Sequence, residues 1–455
     1  MLDFILYSLL PFLFILGFCI TIHEFGHFVM AKLFRIPVEK FSIGYGPPII
    51  RKTIGETDFR IAYFPLGGYV KFRGDEEGEI IKKKQEILTS IEKESDQTVD
   101  NPEKQSVPNP DDTKPGFYDA PVFARILVIF NGPLFNIISA FFVFLLTFLI
   151  YGMVITPYTR IQVDENSDFA KMGFQTNDSI ISVNDNAVAN WEDILERIED
   201  NPGQQAFVTV IRGTETVKIQ GLIDPEMKGI APLVPPTLGT LKINSPAHRA
   251  GMREGDKILQ IDEQSISTWY EMVDIVRESP AKELHITWQH NNSILDASIT
   301  PERLYDPISQ DTIGQIGVFI PHARRFLSMP EAFGLAATRT VDLIGYVFDI
   351  FRKLFTRQIS ARQLGGPIAI FRLSTESAQW GFERLLMFLV IISINLGIIN
   401  LAPLPALDGG HIVISAIEGI RRKRFSKKTR IIIQQIGYAL LLLLIILVTF
   451  NDITR

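Results

Sequence analysis

The chain has 455 residues, 46% hydrophobic and 21% charged, with a formal net charge of −6. A mean hydropathy of +0.17 is high for a wholly soluble protein, and the charge content is high for a bare bundle of spans; together they imply membrane segments joined to soluble domains. The acidic balance gives no support to nucleic-acid binding, and the lone Cys19 excludes an internal disulfide.

The first apolar stretch, 4–32, is long enough to span a bilayer. It lacks the basic n-region of a signal peptide and runs on through His23-Glu24-Phe25-Gly26-His27. HExxH on a helix sets two imidazoles on one face, about one turn apart. Two neutral imidazoles so placed hold Zn²⁺, and the Glu between them can take a proton from water. Two His and a Glu at membrane depth are costly unless they bind something, so the pentad is the leading candidate site.

Residues 41–73 are broken by glycines and rich in β-formers, as in Gly44-Tyr45-Gly46-Pro47-Pro48 and the run from Phe64 to Lys71. They predict short hairpin strands, which survive as a re-entrant element only where protein or a cavity satisfies the backbone. The Glu-, Lys-, Asp-, Ser- and Pro-rich stretch 75–116 predicts a flexible, solvated loop with a short helix near 79–93. A second span is expected at 122–154.

Segment 155–305 repeats itself at an offset of 78 residues: Asn166-Ser167 with Asn244-Ser245, Gly173 with Gly251, Asp178 with Asp256, Trp191 with Trp269. The second copy carries Ala250-Gly251-Met252-Arg253-Glu254-Gly255-Asp256-Lys257-Ile258-Leu259-Gln260-Ile261, which resembles the A-G-L-x-x-G-D-x-I-L-x-I run of bacterial PDZ domains. Such domains can take an extended peptide as an added strand. The first copy has Asn177 where the second has Gly255, a substitution that tolerates a left-handed backbone.

In 330–357 an apolar stripe of Val341, Ile344, Phe348, Phe351 and Phe355 is interrupted by charges, which predicts an amphipathic helix lying on the outer membrane surface or packed against the spans. A third span is expected at 385–404 and a fourth at 431–450. Basic residues crowd 32–120 and 421–430, so both should be cytoplasmic, with the termini and 155–380 on the other side.

A catalytic zinc usually takes three protein ligands plus water. His248, His285, His290 and His322 belong to the outer segment, so the third ligand is expected at the end of the third span, where Asn400-Leu401-Ala402-Pro403-Leu404-Pro405-Ala406-Leu407-Asp408-Gly409-Gly410-His411 offers Asp408 and, as its rival, His411.

HEFGH and the later N-x-x-P-x-P-x-L-D-G run resemble the site-2 protease family of intramembrane zinc metalloproteases, and more closely its RseP type. Gly132-Pro133-Leu134-Phe135-Asn136, the Phe64 to Lys71 run, the paired PDZ-like units and Ser393-Ile394-Asn395-Leu396-Gly397 are similar as well. The resemblance implies one Zn²⁺ per chain on His23, His27 and Asp408, with Glu24 as general base. Unwinding a substrate helix leaves backbone groups to be satisfied, and Gly67, Gly68, Asn136, Asn395 and Asn400 are the candidate substrate-binding residues. It also implies single-pass membrane substrates, such as a trimmed anti-sigma factor or a remnant signal peptide, a bacterial inner-membrane location, and PDZ-like domains that bind peptides or act as a size filter. The expected architecture is a multi-domain membrane protein with four transmembrane helices, a re-entrant β-hairpin region, two inserted PDZ-like α+β domains and one interfacial amphipathic helix. Its boundaries are expected at 1–74, 75–120, 121–155, 156–230, 231–305, 306–382 and 383–455. Two other readings are a non-catalytic tandem-PDZ membrane scaffold and a metal transporter. Intact Glu24 speaks against the first, since metal binding alone needs no base.

Overall fold

In a computed structural model, residues 2–74, 116–199, 205–223, 227–306, 311–360 and 365–454 are described. The 75–116 loop and its expected helix fall, but for Gly116, outside them. The chain divides into two units. One comprises Met1–Thr147, Pro330–Ala378 and Phe382–Arg455, the other Phe148–Met329 and Gln379–Gly381.

Among the described residues, four helical stretches are long and apolar enough to cross a membrane: Ile5–Leu33, Val122–Tyr151, Phe382–Asn400 and Lys427–Thr454. The first is a π turn, Ile5–Leu9, leading into α1, Leu10–Leu33. Pro11 follows directly on the π turn, where the regular i→i−4 ladder that a proline interrupts is already shifted. Beyond α1, β1 (Val38–Ile54) and β2 (Thr57–Phe72) pair antiparallel. Their pairing is doubled: residues 40–43 pair with 58–61 on one side and with 68–71 on the other, while 50–54 pair with 57–61. Two long strands therefore act as four short ones, bent at Gly44 and Gly46, whose φ angles of +89° and +96° suit glycine. Segment 68–71 is an outer edge of this small sheet. Its apolar anchor is Phe28, Phe41 and Phe59, with ring centroids 5.5–5.7 Å apart, while Ile49, Ile50, Tyr63 and Phe64 are exposed.

α2 spans Val122–Tyr151. In the second unit β3 (Met153–Ile155) leads to the repeated segment. Its first copy holds β4 (Ile161–Val163), α3 (Asp168–Met172), β5 (Ser179–Val183), β6 (Asn186–Ala187), α4 (Trp191–Glu199), β7 (Gln205–Arg212), β8 (Glu215–Leu222) and β9 (Ile230–Pro232). The second holds α5 (Pro246–Arg249), β10 (Lys257–Ile261), β11 (Gln264–Ser265), α6 (Trp269–Arg277), β12 (Leu284–His290) and β13 (Ser293–Ile299). The two sheets have the same order, β6-β5-β7-β8 and β11-β10-β12-β13. Ser167 and Ser245 cap α3 and α5 through their side chains. Asn177 adopts φ +77° where Gly255 adopts +91°, as the substitution implies. The buried aspartates differ in their clamps. Asp178 accepts two hydrogen bonds from Arg212, each 2.8 Å, whereas Asp256 faces His290 Nδ1 at 2.6 Å.

The second core does not stop at 305. Ile316 belongs to it, Val318 and Ile320 pack on it, and β14 (Glu302–Asp306) pairs with β15 (Asp311–Gln315), which runs beside α6. Residues read as linker thus complete this copy. β16 (Ala323–Arg325) then returns to pair with β3.

α7 spans Met329–Phe355. Its packed face is Ala332, Ala336, Thr340 and Val347, while Val341 and Phe348 of the apolar stripe are 67% and 57% exposed and Ile344 and Phe351 are half-buried. Small residues let a helix approach its neighbours closely, so they, not the largest side chains, mark the packed face. α8 (Pro367–Gln379), α9 (Phe382–Asn400), α10 (Asp408–Arg421) and α11 (Lys427–Thr454) complete the chain. Asp452 of α11 accepts hydrogen bonds from Gly366 and Ala369 N–H at the start of α8, and Phe371 of α8 packs on Phe12, with ring centroids 5.3 Å apart.

Candidate metal centre

α1 places His23 and His27 on one buried face, with Nε2 atoms 3.2 Å apart. Asp408, the first residue of α10, brings Oδ2 to 3.0 Å from His23 Nε2 and 3.6 Å from His27 Nε2. Donors bonded at about 2.0–2.1 Å to a common tetrahedral centre stand roughly 3.3 Å from one another. The three observed separations bracket that value. Asp408 Oδ2 is buried and accepts no hydrogen bond among the described residues, an expensive state for a carboxylate oxygen unless a cation faces it. Both observations fit Zn²⁺. His411 is not in the cluster; it lines a small cavity with Tyr118, Arg125, Glu418 and Arg430.

Two features make room for the site. Gly132 of α2 lies against both imidazoles, and a side chain there would overlap the His27 ring. Gly409 and Gly410 lie directly on the carbonyls of the 401–404 turn, and Gly437 of α11 packs against Pro405 and Ala406, which follow it. The turn that delivers Asp408 is thus held by glycine contacts from α10 and α11.

Hydrogen bonds orient the rings. His27 Nδ1 donates to Val128 O at 2.9 Å, which leaves Nε2 with its lone pair toward the centre. His23 Nδ1 lies 3.3 Å from the Asn136 amide. Asn136 is fully buried, and its backbone carbonyl is reached by the Ser139 and Ser393 hydroxyls at 2.9 and 2.8 Å. Among the expected substrate contacts, Asn136 is therefore packed against the His23 ring, while Asn395 and Asn400 are half-buried on α9. Gly68 lies on the edge segment of the β sheet, and a methyl group on it would come within 3.3 Å of Glu24 Cγ. Gly67 sits at φ +130° beside the Tyr45 ring, whose hydroxyl donates to Gly68 O at 3.0 Å. Sequence reasoning overlooked Val128, Gly132, Ser139, Gly437 and Tyr45 as parts of the site. Gly132 was findable, since it stands four residues before Asn136 and so on the same face of α2.

A helical HExxH pair meeting a carboxylate from a separate helix, inside a bundle of apolar spans, defines a membrane-embedded metallopeptidase. The chain matches peptidase family M50 over residues 11–444 and belongs to that family. It is 31% identical to the zinc metalloprotease RasP of Oceanobacillus iheyensis, covering 98% of this chain and 99% of that one. It is 30% identical to the regulator of sigma-E protease RseP of Escherichia coli, covering 99% of each. The PDZ domain of an SdrC-like protein from Listeria innocua aligns at 23% identity and TM-score 0.16, covering 20% of this chain and 99% of that domain. The chain is thus a zinc metalloprotease of the bacterial inner membrane, which sets aside the scaffold and transporter readings.

Proposed function

We propose that His23, His27 and Asp408 hold one catalytic Zn²⁺ and that Glu24 is the general base for cleavage of peptide bonds within transmembrane segments. The convergence of three ligand atoms beside Glu24, which itself borders the sheet edge at Gly68, carries this reading. When bound, zinc polarises the scissile carbonyl and makes water acidic enough to attack. Glu24 takes the proton of the attacking water and returns it to the leaving amine. The edge at 68–71 offers backbone groups to a substrate segment that has lost its helical hydrogen bonds, in the manner of an added strand. Asn395 and Asn400 offer further amides from α9.

By resemblance the substrates are single-pass membrane proteins already trimmed outside, such as an anti-sigma factor, or remnant signal peptides. The basic residues preceding α11 lie at the end of the bundle where Arg424 meets Asp119, 3.0 Å apart. The opposite end gathers Phe12, α8 and Asp452. Positive charge inside puts the first end in the cytoplasm and the termini and PDZ-like units in the periplasm. The re-entrant sheet, the surface position of α7, and PDZ-like units that filter substrates by size or bind peptides complete the reading. Glu24→Gln should keep zinc bound yet lower cleavage of a transmembrane reporter peptide by about 10³-fold. Wild-type turnover at full metal content would remove Glu24 from the mechanism.

A further inference from the structure

Three residues of α2 at four-residue spacing face the HExxH helix. Gly132 leaves space, and the other two meet the ligand rings from behind. Behind His27 stands the Val128 carbonyl, an acceptor that fixes the proton on Nδ1. Behind His23 stands the Asn136 side chain, whose amide presents either a donor or an acceptor. It is placed with nitrogen toward His23 Nδ1, which leaves Asn136 Oδ1 buried without a partner. An imidazole that binds metal through Nε2 carries its proton on Nδ1, so two donors would then face each other. Turning the amide over exchanges two groups of nearly equal size, and the hydrogen-bond network decides which way they lie. It puts Oδ1 on the Nδ1–H and removes the buried orphan acceptor.

We infer that Asn136 is a positioning residue for the metal centre: its Oδ1 accepts from His23 Nδ1–H and holds that ring in the zinc-binding tautomer, as Val128 O does for His27. The inference rests on His23 being a zinc ligand. The Ser139 and Ser393 hydroxyls on the Asn136 carbonyl fix the backbone from which this side chain projects. Full burial among α1, α2 and α9 makes it a support for a ligand, in contrast to the substrate contact that its motif suggests.

The test uses the purified full chain in detergent, with zinc affinity read by chelator competition and the Co²⁺-substituted protein read by its visible absorption. Asn136→Leu removes the acceptor at similar volume and should weaken zinc by about 10–100-fold and shift the Co²⁺ bands. Asn136→Asp keeps an acceptor toward Nδ1 and should stay close to wild type in both. Wild-type zinc affinity in Asn136→Leu would overturn the inference, as would an Asn136→Asp loss as deep as that of the Leu variant. If Asn136→Leu does not fold, the Asp variant alone decides: retained affinity supports the acceptor role and lost affinity refutes it. His23→Ala tests the underlying reading separately, since zinc binding that survives it would remove His23 from the ligand set.

Discussion

α10 carries buried carboxylates near its two ends, and they sit in opposite electrostatic settings. Asp408 faces two imidazoles, with an oxygen that accepts no hydrogen bond among the described residues. Glu418 accepts from Arg125 Nη1 at 2.7 Å and from Phe425 N–H at 2.8 Å, lies 3.4 Å from Arg430 Nε, and has Tyr118 stacked over Arg430. The first cluster has one negative charge to share with a cation; the second already contains more positive charge than negative. Their Cα positions are about 15 Å apart along one helix. The difference separates a site from a fastening. Buried charge that is neutralised within the protein ties the starts of α2 and α11 to α10, and buried charge left open at the other end is what the tie serves to place.

Breaking each end should therefore give different losses. The largest is at the metal. Asp408→Ala should lower zinc affinity by more than the roughly 10–100-fold expected of an outer-shell change and abolish cleavage, while His411→Ala leaves zinc bound. Metal analysis after dialysis checks this, and the reverse pattern would transfer the ligand role to His411. Next comes the fastening. Glu418→Gln leaves two guanidinium groups around a neutral amide, which should cost about 3–5 kcal/mol of stability, measured by denaturant unfolding in micelles. The fraction still folded should keep zinc, and its loss from folded protein would show that the two ends are one site. The smallest effect lies in the PDZ-like copies. Burial pushes the Asp178 carboxyl up, but the Arg212 fork and the Gln175 N–H outweigh it and carry it below the usual carboxylate range. A depressed folded pKa means the stabilisation is complete above the unfolded value of about 3.9 and is lost as pH falls through the folded one. Arg212→Ala should remove about 2 kcal/mol at neutral pH and flatten that acid dependence. An unchanged acid profile would assign it to other groups.

Much of this was readable beforehand, for identifiable reasons. Spans are long apolar runs, and the pentad is local, so α1 and its two facing imidazoles needed only helical periodicity. The PDZ-like repeat was visible because the turns that demand Gly, Asn or Asp recur at a fixed offset. The third member of the cluster was narrowed to two candidates; three positions separate Asp408 from His411 on α10, and only packing decides which of them turns toward α1. The packed face of α7 had no marker of its own: hydrophobic size signals contact with lipid as readily as with protein, and Ala332 and Ala336 carry little signal in a hydropathy pattern. The second PDZ-like copy was cut short at 305 because the residues that finish it, 311–320, follow the repeated stretch and have no marker of their own. Val128 acts through its carbonyl, which no side-chain pattern can report.

The carboxylate of Asp452 has a consequence for the order in which the molecule is made. It closes the N-terminus of α8 across a separation of 86 residues. A ribosome finishes α8, α9 and α10 before Asp452 exists, and during that interval the first N–H groups of α8 must find water or lipid headgroups. Insertion of the last span then supplies the missing acceptor. A chain shortened before residue 452 would keep every ligand of the metal centre and still leave that helix end open, so a late truncation should register as fraying of α8 long before it registers in zinc content.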